Sequence, residues 1–113
     1  MTIYSAPLSD IEFALNSFVD LPSIMKYDHF GEADHSMVSD LLAEAGRFMT
    51  DIFAPLNKSG DNEGAKRNTD GTVSTPEGFI EAYHAYVEAG WGAVSFDTGF
   101  GGGGFPFVVG IAI

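Results

Sequence analysis

No cysteine occurs in the 113 residues, which excludes a disulfide framework, a thiolate nucleophile and any thiolate metal site. Positive charge is almost as scarce. Lys26, Arg47, Lys58, Lys66 and Arg67 face sixteen Asp and Glu, for a net charge of −11. Affinity for nucleic acid rests mainly on cations that neutralise phosphates, so neither nucleic acid nor an anionic membrane surface is an expected partner. Long apolar runs are lacking too: the longest uncharged stretch, residues 98–113, is glycine-rich and broken by Pro106, too short and interrupted for a membrane span. The opening "MTIYSAPLSD" has no basic region followed by an apolar core, so no signal peptide is expected and a cytoplasmic location is the default.

What is present is apolar and aromatic: 45% hydrophobic residues, 13% of the chain being Phe, Trp or Tyr. That composition suits one globular domain at most, with a modest core. Three segments carry helical periodicity. In "APLSDIEFALNSFVD" Ser9 and Glu12 have capping-box spacing, Leu8 and Phe13 could staple the start, and Ile11, Ala14, Leu15 and Phe18 repeat on one face. This helix is expected to end before Pro22. In "DHSMVSDLLAEAGRFMTDIFAP" Asp34 reads as the N-cap. Val38, Leu41, Leu42, Ala45, Phe48, Met49 and Ile52 form a wide apolar stripe, with Asp40, Glu44, Arg47 and Asp51 mostly facing away. Gly46 costs this helix about 1 kcal/mol against alanine, and Pro55 closes it.

Residues 57–74, "NKSGDNEGAKRNTDGTVS", read as a long surface loop with a brief extended piece at Thr72–Val73. In "STPEGFIEAYHAYVEAGW", Ser74 or Thr75 is expected to cap a third helix. Pro76 and Glu77 suit its first turn, Phe79, Ile80, Tyr83, Tyr86 and Val87 its buried face, and Gly90 its stop. "FPFVVGIAI" would open a fourth helix at Pro106, without an exposed face or end signals. The expected fold class is all-α, with residues 1–33 as an N-terminal extension carrying one amphipathic helix and 34–113 as a helical domain.

Several constellations invite chemistry. Gly99, Gly101 and Gly104 have the G-x-G-x-x-G spacing of a dinucleotide loop, and "WGAVSF" could pass for its strand. The acidic residue required about twenty positions on is missing, and no parallel strand exists for such a unit to join. A run of glycines between helix end and helix start is better read as a tight turn, residues 99–105. His35 lies near Asp34 and Asp40, but a solvated helix start explains it, as a surface position explains His84. Neither Ser36 nor Ser39 has a base oriented towards it, and no metal site is expected. Phe79, Tyr83 and Tyr86 could line a ligand pocket, though core packing accounts for them.

Taken in order, the segments resemble one family. "YSAPLSDIEFALNSFVD", the stretch from "FMTDIFAP" to "VEAGW" and "FDTGFGGGGFPFVVGIAI" are similar to the N-terminal extension, following helices and glycine turn of acyl-CoA dehydrogenases. The likeness is to the large-chain branch that includes enzymes acting on 3-methylthiopropanoyl-CoA. Phe100, Gly101, Gly102, Gly103, Gly104, Phe105 and Pro106 match the turn in order. The resemblance covers essentially the whole chain. It implies an FAD enzyme in which a glutamate takes the α-proton of an acyl thioester while the β-hydrogen leaves as hydride to the flavin. Electrons then pass to an electron-transferring flavoprotein. It further implies a helical N-terminal domain, here incomplete, ahead of a β-domain and a C-terminal four-helix bundle, assembled as dimers or tetramers.

By that resemblance the catalytic glutamate and most flavin contacts belong to later domains. No catalytic or cofactor-binding residue is therefore assigned here, and Glu77, Glu81 and Glu88 are helix-surface carboxylates. Pro106, Phe107, Val108 and Ile111, on the helix after the glycine turn, are expected to help wall the acyl pocket. The leading expectation is the N-terminal helical segment of such an enzyme, either a truncated product or a piece needing the rest of it, inactive alone and prone to stick through its apolar faces. The alternative is a self-standing acidic helical module that binds a partner protein without enzymatic activity.

Overall fold

The computed structural model describes residues 3–31 and 33–113; residues 1, 2 and 32, all within the expected N-terminal extension, lie outside the described residues. Six α-helices occur among the described residues: α1 (Leu8–Phe13), α2 (Leu21–Ile24), α3 (His35–Phe48), α4 (Leu56–Glu63), α5 (Phe79–Glu88) and α6 (Phe107–Ala112). The strands β1 (Lys66–Arg67) and β2 (Val73–Ser74) pair antiparallel, Lys66 opposite Ser74. The fold is all-α apart from this small hairpin.

The N-terminal extension folds differently from its sequence signals. Pro7 is the N-cap of α1, and no side chain caps the helix. Proline gives up an N–H that would be unsatisfied at a helix start anyway. Glu12 is thereby free for a tertiary contact: the Ser39 hydroxyl donates to its carboxylate at 2.5 Å. After Phe13 the helix widens into a π-helical turn, Ala14–Phe18, with the Val19 N–H reaching back to Ala14 at 3.1 Å. Asp20 then adopts a left-handed φ of 54°, a conformation that its short polar side chain tolerates. Pro22 lies in the first turn of α2; it starts a helix as well as excluding the previous one.

The second signal is sound. Asp34 caps α3, its carboxylate accepting the Met37 N–H at 3.0 Å. Val38, Leu42 and Ala45 are buried, and Gly46 with them. A Cβ on Gly46 would lie 3.1 Å from that of Ala6, so the propensity lost at this glycine allows the N-terminal segment to pack close. Before Pro55 the helix again relaxes into a π-helical turn, Met49–Phe53, and Thr50 bonds back to the Gly46 carbonyl at 2.8 Å.

Residues 57–74 are not a loop. They contain most of α4, β1 and β2 and the turn that joins the strands. Asp70 builds that turn by accepting both the N–H and the hydroxyl of Thr72, at 3.0 and 2.7 Å. The helix was hidden because Leu56 is its single large apolar residue, leaving no periodicity to detect. Helix α5 also starts later than its cap signals suggest. Ser74 belongs to β2, Pro76 is buried ahead of the helix, and Gly78, at φ 84°, is the N-cap.

The core joins Leu15 and Leu21 of the extension to Val38, Leu42 and Ala45 of α3, and to Trp91, Val94 and Val109. Leu21 and Val109 are completely buried. By contrast Ile80, Tyr83 and Val87 are exposed and Tyr86 only half-buried; within α5 the buried residue is Ala82. The structure is accordingly open and elongated. Its radius of gyration is 17.0 Å, against about 13 Å for a compact domain of this length.

Candidate functional site

The glycine turn is closed to phosphate by its own hydrogen bonds. Asp97 starts it, its carboxylate accepting the Gly99 N–H at 2.7 Å. The Phe100 and Gly102 N–H groups donate to the Asp97 carbonyl, Gly101 to Thr98, Gly103 to Ala93, Gly104 to Phe96 and Phe105 to Val94, all at 2.9–3.1 Å. Every backbone donor from Gly99 to Phe105 is committed internally. A dinucleotide loop needs such donors free to meet a pyrophosphate, so the spacing is coincidental. The run is a fold-back that lays residues 102–105 against residues 93–96 and aims the chain into α6. Gly102 is needed for this approach, because a Cβ there would stand 2.2 Å from the Phe96 carbonyl oxygen.

The histidine and serine constellations dissolve in the same accounting. His35 pairs with Asn16 at 2.6 Å, Ser36 donates to Asp34 at 2.5 Å, and Ser39 reaches Glu12. Among the described residues no serine hydroxyl is bonded to a histidine. Among the described residues no group of three His, Asp or Glu is placed to hold a metal ion, and no helix is long and apolar enough to cross a membrane. The Ser36 hydroxyl and the Met37 N–H hold the Asp34 carboxyl below its usual range. The Thr72 hydroxyl and N–H do the same for Asp70. Both are structural carboxylates at a cap and a turn.

An open apolar groove of about 650 Å³ is lined by Met49, Phe53, Leu56, Phe79, Tyr83 and Ile113 among others. Phe79 and Tyr83 of the aromatic stripe thus face the groove. Tyr86 turns inward, its ring edge-on to Phe53 at 6.1 Å. Met49, Phe53 and Leu56 are not identified as lining residues from sequence: Met49 reads as core stripe, and Leu56 falls between the helix stop at Pro55 and the expected loop.

The residues expected to wall an acyl pocket are split by α6. Pro106 is the buried N-cap and Val108 packs partly against the core. Phe107 and Ile111, one turn apart, share the exposed face at 73% and 69% exposure. None of the four lines the large groove.

The chain is 38% identical over 109 residues to a 3-methylmercaptopropionyl-CoA dehydrogenase of Ruegeria pomeroyi. It is 28% identical over 110 residues to a broad-specificity linear acyl-CoA dehydrogenase of Mycobacterium tuberculosis, and 32% identical over 95 residues to a butyryl-CoA dehydrogenase of Syntrophomonas wolfei. These matches take in 96%, 96% and 79% of the chain. The chain belongs to the acyl-CoA dehydrogenase family. It spans 18%, 18% and 15% of these relatives and corresponds to an N-terminal part of such an enzyme. No protein-family model matches it. Seen as part of an acyl-CoA dehydrogenase, the glycine turn is an architectural joint between the core and α6.

Proposed function

We propose that this chain is the N-terminal helical part of an FAD-dependent acyl-CoA dehydrogenase, which removes hydrogens from the α and β carbons of an acyl-CoA thioester. Its own contribution is packing surface for the other domains and, through Pro106, Phe107, Val108 and Ile111, part of the acyl-pocket wall. It carries no catalytic residue. FAD, held by parts of the enzyme outside this chain, would supply the hydride acceptor.

The observation that carries this reading is the exposure of side chains whose periodicity marks them for burial. Ile80, Tyr83 and Val87 are 60%, 63% and 55% exposed, and Phe107 and Ile111 still more so. A core that leaves such faces bare is the expected form of one layer of a larger helical domain. The elongated shape disfavours a self-standing module, which would close on itself at a smaller radius.

On this reading the chain supplies no flavin site of its own. The N–H groups of the glycine turn are all used, and Arg47 of the few cations is paired with Glu44. The flavin contacts therefore belong to other parts of the enzyme. An acyl-CoA substrate, an electron-transferring flavoprotein as acceptor, homo-oligomeric assembly and a cytoplasmic location complete the proposal.

Segment exchange tests it. This chain replaces the matching segment of the Ruegeria pomeroyi enzyme, and the chimera is assayed for flavin content and dehydrogenation of its thioester. Retention of both is expected, while the chain alone should elute from gel filtration without flavin and turn over no acyl-CoA. Flavin co-eluting stoichiometrically with the chain alone, or a folded chimera that neither holds flavin nor turns over, would overturn the assignment.

A further inference from the structure

We draw no further inference here: the strongest candidate, the open apolar groove beside α4 and α5 that runs into the exposed stripe of Ile80, Tyr83 and Val87, carries nothing because nothing in the structure shows what covers it.

Discussion

Gly102 and Phe96 meet backbone to backbone: a Cβ on Gly102 would lie 2.2 Å from the Phe96 carbonyl oxygen and 2.4 Å from its carbonyl carbon. The carbonyl cannot swing aside without breaking the bond it accepts from the Gly104 N–H at 2.9 Å. Gly102→Ala is therefore expected to destabilise the chain by about 1–3 kcal/mol, read from urea unfolding. Gly60→Ala provides the contrast. There the Cβ would meet the Phe79 ring tip at 2.5 Å, but that ring borders an open groove and can rotate away. Alanine also favours the helix by about 1 kcal/mol over glycine, so Gly60→Ala should be near neutral. Equal losses for the two would contradict the fold-back.

The extension is part of the core, although its helix signals look peripheral. Leu21 is completely buried while Phe18, three residues earlier, is 80% exposed. Leu21→Ala should cost about 2–5 kcal/mol and Phe18→Ala within about 0.5 kcal/mol. Thermal or urea unfolding of the two variants compares them directly. Similar small effects would mean that the extension does not dock.

The cap of α3 imposes a pH dependence of definite sign. In the folded chain the Asp34 carboxyl is held below its usual value, so its contribution is full above the unfolded carboxylate range near pH 3.9. It is lost as pH falls through the lower folded value. Asp34→Asn keeps an acceptor for the Met37 N–H without a charge. The variant should therefore show a shallower acid loss of helix by circular dichroism than the parent chain, with little difference at neutral pH. An unchanged acid profile would remove Asp34 from the linkage.

The α6 face separates folding from function. Phe107→Asp and Ile111→Asp alter positions that stand in solvent and should leave the melting midpoint of this chain unchanged. In the segment-exchanged enzyme the same substitutions should lower kcat/KM by on the order of tenfold, equivalent to about 1.4 kcal/mol. Flavin content reports whether the domains still assemble. Full turnover with an aspartate at either position would strike that residue from the pocket wall.

Local chemistry alone was enough for the elements whose ends are made by neighbouring residues. Asp34 reaches a donor three residues on, Gly90 ends α5 with its φ of 78°, and Pro106 opens α6. Of the stripe that periodicity named, Val38, Leu42 and Ala45 are buried in the core, while Leu41, Phe48, Met49 and Ile52 are half-buried. Failure came where a signal had a competing partner elsewhere. Ser9 and Glu12 had capping spacing, but Pro7 starts the helix and Glu12 bonds Ser39, twenty-seven residues away. Leu56 gave no periodic cue, and α4 is held by what it touches, its Gly60 lying under the Phe79 ring.

Composition, spacing and resemblance thus determined the helical class, the family and the absence of thiol chemistry from one-dimensional information. Only the tertiary structure decided which faces are bare and whether the glycine run holds a phosphate or folds the chain back. Both depend on where backbone donors and apolar atoms find partners across long sequence separations, and no local pattern specifies that. Gly103 bonding to Ala93 at 3.0 Å turned an apparent nucleotide motif into a structural joint.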